Sequence, residues 1–133
     1  MLDRDPTEAE EWIRSWSAQA SARAEATTAM ADRVAGVTTT AANLDGTVRV
    51  RIASSGVLLG LELDDRTRAL SGRDLAAEIM ATMRRAQAKL AESVTAAVRE
   101  TVGVDTETGQ AVIASFRQRF PADEPDDDLD GRR

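Results

Sequence analysis

Apolar positions in this chain recur with two different periods, and the switches between them mark out its elements. From Ile13 onward, Trp16, Ala20, Ala24, Thr27, Met30 and Val34 follow at three- and four-residue spacing, the single stripe of an amphipathic helix. Asp5, Pro6 and Glu8 precede the stripe: an N-cap acceptor, a proline suited to the first helical position, and an acid placed as in a capping box. No Gly or Pro interrupts the run before Gly36, so the helix extends to Val34 or Ala35, about 45 Å at 1.5 Å per residue. The period then changes. Residues 37–43 are rich in β-branched side chains, and Asp45-Gly46 is a tight-turn pair. Val48, Val50 and Ile52 alternate with Thr47, Arg49 and Arg51. After Ser54-Ser55-Gly56, Val57, Leu59, Leu61 and Leu63 alternate with Leu58, Gly60 and Glu62. Two period-two runs joined by a short Ser/Gly loop predict an antiparallel hairpin, and residues 37–43 predict a strand before it, making a three-stranded meander. A lone hairpin is not stable in water, so its apolar face is expected to lie under the flanking helices.

The helical period returns after a polar connection at 64–68. Ser71 and Asp74 form a cap signature, and Leu75, Ile79, Met83, Ala86, Leu90, Val94, Ala97 and Thr101 run in a near-heptad seam to a stop at Gly103. A second long helix is therefore expected over about 72–102. A third, shorter helix is expected from Thr106 to about Arg119, with Val112, Ile113, Phe116 and Phe120 as its apolar positions and Pro121 as its end. Gly109 leaves the start of that helix unfixed by the pattern. The fold class is α+β: long helix, three-stranded antiparallel meander, long helix, short C-terminal helix. One domain over 1–120 and an acidic, disordered tail over 121–133 are expected, because the tail is charged, proline-containing and without periodicity.

Composition adds a constraint on assembly. Alanine is abundant and the only aromatics are Trp12, Trp16, Phe116 and Phe120. A core of small side chains is thin, and the helices are longer than one small sheet can cover, so a homodimer is expected. The chain has no Cys, His or Tyr, which removes thiolate metal sites, the commonest general base and every His-dependent triad. Its adjacent carboxylates, such as Asp64-Asp65 and Glu10-Glu11, fall in a turn or a first helical turn, where acids complement the helix dipole. A non-enzymatic protein without cofactor or metal is expected. Asp126-Asp127-Asp128 lacks the spaced ligands of a calcium loop and reads as a solvated run. No apolar stretch reaches membrane-spanning length, so a cytoplasmic protein without membrane contact is expected.

Gly46-x-Val48-x-Val50, Gly56 followed by aliphatics to Leu63, and the helix carrying Leu75, Ile79, Ala86 and Gln87 give roughly residues 10–100 a likeness to a known family. The chain resembles the YbaB/EbfC family of bacterial nucleoid-associated proteins, and its Ala/Arg/Asp-rich composition is similar to the actinobacterial branch. The resemblance implies a homodimer whose sheets associate and whose helices project like tweezer arms. It implies binding to duplex DNA with little sequence preference, and a place in the nucleoid. Some relatives in high-GC Gram-positive bacteria are associated with specialised secretion loci, which implies an alternative: a protein-interaction module, such as a secretion-system accessory or chaperone-like factor, without DNA binding.

Net charge sharpens the choice. The chain is at −6, with 17 basic and 23 acidic residues. Residues 121–133 hold six acids and two bases, which leaves the rest of the chain at about −2. A DNA interface must therefore come from local clustering. Candidates are Arg49 and Arg51 on one strand face, Arg84, Arg85 and Lys89 on the second long helix, Arg73 at its start, and Arg23 and Arg33 on the first. Such residues would hold phosphates without reading bases; the alternative for each is an ordinary solvated position. Candidates for a dimer or partner interface are Trp12, Trp16, Leu58, Leu59, Leu61, Ile79, Met83 and Leu90, with the tryptophans as anchors.

Overall fold

A computed structural model describes residues 6–121. Within them the order is α1 (Pro6–Ala35), β1 (Thr38–Ala42), β2 (Val48–Ala53), β3 (Leu58–Leu63), α2 (Gly72–Thr101) and α3 (Glu107–Arg119). Element types and order agree with the pattern in the sequence. The Asp5 cap and the acidic residues from Asp123 onward lie outside the described residues.

Side-chain chemistry sets the element ends. Ser71 Oγ accepts the Asp74 N–H at 3.0 Å and caps α2, as its sequence signature requires. Thr106 does the same for α3, accepting the Gly109 N–H at 3.0 Å. Gly109 is no irregularity: a Cβ there would collide with the Gly103 carbonyl oxygen and Val98 Cγ1. Glycine lets α3 begin directly against the end of α2. The polar connection after β3 is ordered into a 3-10 turn, Asp65–Ala69, with the Asp64 carboxylate accepting the Arg66 N–H at 2.8 Å.

The sheet is antiparallel throughout, in the order β1-β2-β3. Val48, Val50 and Ile52 are completely buried, while Arg49 and Arg51 are exposed on the other face. Val50 and Ile52 join Ala86, Leu90, Val94 and Val98 of α2, Met30 of α1 and Phe116 of α3 in one core. The α2 helix packs on β1 and β2. A helix is about 10 Å across and strands are about 4.8 Å apart, so one helix seals two strands and leaves a third bare.

Two expectations change in consequence. The apolar face of the hairpin is covered at β2 but not at β3, every residue of which except Gly60 is exposed. The phase of β3 also shifts. Arg51 pairs with Gly60 while Ile52 pairs with Leu58, so Leu59 is the extra residue of a β-bulge. Leu58, rather than Leu59, therefore shares the α2-side face with Leu61 and Leu63, which pair with Val50 and Val48. A strict alternation read from sequence cannot register such an insertion.

The α1 helix packs on α2 only near its C-terminal end, where Met30 is buried and Val34 half-buried and Arg33 pairs with Glu100. The rest of the stripe lies open. From Thr7 to Glu25 every side chain but Ala9 is exposed, Trp12 at 62% and Trp16 at 60%. The helix projects beyond the body, as its length demanded.

Candidate functional site

The two outer edges of the sheet are built from different side chains. Hydrogen bonding from the Asn43 N–H to the Val48 carbonyl at 3.0 Å fixes the ladder phase. By antiparallel alternation, the Thr40 and Ala42 carbonyls then point outward from β1. Both are occupied. Lys89 Nζ donates to the Thr40 carbonyl at 3.0 Å, and Arg85 Nη1 donates to the Ala42 carbonyl at 3.1 Å. One turn apart on α2, these cations sit along the β1 edge because Thr39 ties the strand to the helix through a buried bond from Oγ1 to the Ala86 carbonyl, 2.9 Å.

A buried asparagine holds the end of this arrangement. Asn43 Oδ1 accepts the Val48 N–H at 3.0 Å, and its Nδ2 donates to Thr47 Oγ1 at 2.9 Å and to Glu78 Oε1 at 2.8 Å. The Asp45 carboxylate accepts the Thr47 hydroxyl at 2.7 Å and its N–H at 3.2 Å. These two bonds hold the Asp45 carboxyl below its ordinary value. Asp64 is lowered likewise, by the Arg66 N–H and then its guanidinium. The turn is thus pinned to α2 by Glu78, two turns before Arg85. Neither Asn43 nor Glu78 stood out in the sequence; the only signal was an amide immediately before a Leu-Asp-Gly turn.

The register brings four of the candidate cations together. Thr40 pairs with Arg51 and Ala42 pairs with Arg49, and paired residues share a sheet face. Lys89, Thr40 and Arg51 therefore form one row across the sheet, and Arg85, Ala42 and Arg49 form the next. The rows are two residues apart along β1, about 6.8 Å at 3.4 Å per residue. Thr38, Thr40 and Arg51 on this face are exposed, and no helix has its main packing there. Glu62 continues the second row, 3.8 Å from Arg49 with both side chains largely exposed. Lys and Arg carry three and five donors, so a bond to an edge carbonyl leaves each with donors to spare.

The other candidates stay apart. Arg84 lies about 100° around α2 from Arg85, Arg73 is exposed in the first turn of α2, and Arg23 is exposed on the projecting part of α1. Arg33 is engaged by Glu100. Of the interface candidates, Leu58, Leu59 and Leu61 are exposed with the two tryptophans, and Ile79 and Met83 are half-buried. Leu90 is completely buried in the chain's own core, which corrects its assignment to a surface. At the β3 edge, the Asp64 N–H bonds the Thr47 carbonyl at 2.8 Å. The backbone groups of Leu61 and Leu63 consequently point outward, beside the exposed leucines.

No helix among the described residues is long and apolar enough to cross a membrane, and no group of three or more acids among them is placed to hold a metal ion. The model of the YbaB/EbfC DNA-binding family matches residues 10–104, from early α1 to just past the end of α2. No curated protein matches the chain, and no solved structure does.

Proposed function

The chain belongs to the YbaB/EbfC DNA-binding family, and from that premise we propose that it is a nucleoid-associated protein that binds duplex DNA through the phosphate backbone as a homodimer. The observation that carries the reading is the double row in which Arg51 and Arg49, on a sheet face with little cover, are continued at the β1 edge by Lys89 and Arg85. A row spacing of about 6.8 Å is close to the through-space distance between neighbouring phosphates of one DNA strand, which combines the axial rise of about 3.4 Å with the rotation of the helix, so successive rows suit neighbouring phosphates. No aromatic side chain lies in these rows to stack on bases, which favours backbone contact with little sequence preference. Glu62 offers an exchangeable counter-charge that a phosphate replaces. Such a protein works in the cytoplasm, on the nucleoid.

The homodimer rests on β3. Its outward backbone groups and its leucines suit pairing with a second β3 across a two-fold axis, by strand addition and apolar burial together. The pairing joins two sheets into one and presents two copies of the cationic rows, so contacts that are each weak act in concert. The exposed Trp12–Trp16 pair favours a second reading, a protein partner for the α1 arm; the two roles are compatible.

The test is a charge reversal on the open face. Fluorescence anisotropy with a mixed-sequence duplex at low salt should show the Arg49→Glu/Arg51→Glu variant binding at least about tenfold more weakly, with a shallower salt slope by about one per lost contact. Equal affinity and slope for variant and parent would remove the sheet face from the interface.

A further inference from the structure

The α3 helix lies C-terminal to the family-matched residues 10–104, and with α2 it forms a groove of about 520 Å³ lined by Ala88, Ala91, Thr95, Arg99, Arg117 and Phe120. Small side chains on the α2 side keep it open. Glu92 is the one acid in its lining, and neither Arg99 nor Arg117 forms an ion pair among the described residues. A third cation stands beside it on α3: the Arg119 guanidinium lies 4.6 Å from the Phe116 ring centre and 5.5 Å from that of Phe120. The groove is thus a cationic surface with an aromatic wall and too few acids of its own.

Acids are supplied by the chain that leaves this groove. Phe120 is part of the lining, and Asp123, Glu124, Asp126, Asp127, Asp128 and Asp130 follow it with no basic residue among them. Asp123 is three residues from Phe120, so the acidic run begins within about 10 Å of the groove at 3.3–3.6 Å per extended residue. Pro121 disfavours helical backbone at Phe120, which has left the helix at φ −130° and ψ 78°. A short tether gives millimolar effective concentration, enough for exposed ion pairs that are individually weak to act together.

We propose that residues 123–130 dock in cis along the α2–α3 groove, with their carboxylates on Arg99 and Arg117. The occupant is this chain's own acidic segment, and the proposal stands or falls independently of DNA binding. It makes α3 and the segment a single unit appended to the family domain, in which a cationic groove and a polyanion are encoded side by side.

Paramagnetic relaxation tests it in the full chain without nucleic acid. The chain has no cysteine, so Gly131→Cys accepts a single spin label. At low salt the label should cause selective loss of amide peak intensity at Thr95, Arg99 and Arg117, reversed by high salt and by Arg99→Glu/Arg117→Glu. Uniform loss over the surface, loss centred on Arg49 and Arg51, or a pattern unchanged by the charge reversal would overturn it. Mixing spin-labelled chain lacking ¹⁵N with unlabelled ¹⁵N chain separates copies: intensity loss at the groove in that mixture would place the segment on a second copy and overturn docking in cis.

Discussion

The two edge strands of the sheet show opposite solutions to the same problem. An edge presents unpaired backbone groups that invite another strand. At β1 the residues are Thr and Ala, and the chain closes the edge itself: Lys89 and Arg85 take the outward carbonyls, and Thr39 and Asn43 lock the strand and its turn to α2. At β3 the residues are mostly leucine, α2 does not reach, and the outward groups of Leu61 and Leu63 have nothing over them among the described residues. β3 from Gly60 onward alternates as β2 does, yet Val48, Val50 and Ile52 are wholly buried while Leu61 remains 41% exposed. A similar alternation is core in one strand and surface in the next, and helix width decides which. The difference teaches that β3 is surplus to the needs of one chain, whereas β1 is finished.

The largest effect expected from breaking this comparison is on assembly. Leu61→Lys places a charge on the β3 face and, if the chain pairs through β3 as proposed, should give a monomer in sedimentation velocity where the parent gives a dimer, with the far-ultraviolet circular dichroism unchanged. A dimer that survives would move pairing to the helices. Next comes stability. Ile52→Ala on β2 should cost about 2–5 kcal/mol in urea unfolding, as a buried Ile-to-Ala deletion does. Leu61→Ala, compared with its parent at concentrations where both are monomeric, should cost less than about 1 kcal/mol, because an exposed side chain leaves no cavity. Equal costs would mean that β3 is covered within one chain.

A smaller effect is expected at the finished edge. Arg85→Met keeps the aliphatic stem and removes the donor to the Ala42 carbonyl, and should cost about 1 kcal/mol with faster hydrogen exchange along β1. The smallest is in acid. Asp45 and Asp64 have carboxyls lowered by their hydrogen bonds. A lowered folded-state value means that the stabilisation is complete above the unfolded aspartate value, about 3.9, and fades as pH falls through the folded one. The melting temperature should therefore decline below about pH 4, and Asp45→Asn should flatten part of that decline.

Most of the fold was legible because its signals are local. Ser71 and Thr106 cap helices by contacts three residues away, Asp45-Gly46 turns the chain, and period two gives way to three-and-four spacing where the strands end. What was not legible depends on distance in space. The bulge at Leu59 is a property of the β2–β3 pairing, and the exposure of β3 follows from where α2 lies. The demand for glycine at Gly109 comes from the turn of chain before it and the side chain of Val98. The cationic face shows the same division. Arg49, Arg51, Arg85 and Lys89 could each be named as candidates, but only the register and the edge bonds set them in two rows. Arg33 shares their chemistry and is spent on Glu100 instead. Leu90 carried the seam's periodicity and went to the core, since a helical stripe does not say whether its cover comes from the same chain.

The most direct measurement is equilibrium binding of the full-length chain to a mixed-sequence duplex across a salt series. Phosphate contact by the rows of a dimer predicts measurable binding at low salt, with log K falling linearly against log salt at a slope near −0.9 for each phosphate engaged, and little change when the sequence is scrambled. No binding at low salt, or binding indifferent to salt, would contradict it and leave the α1 arm and its tryptophans as the functional surface.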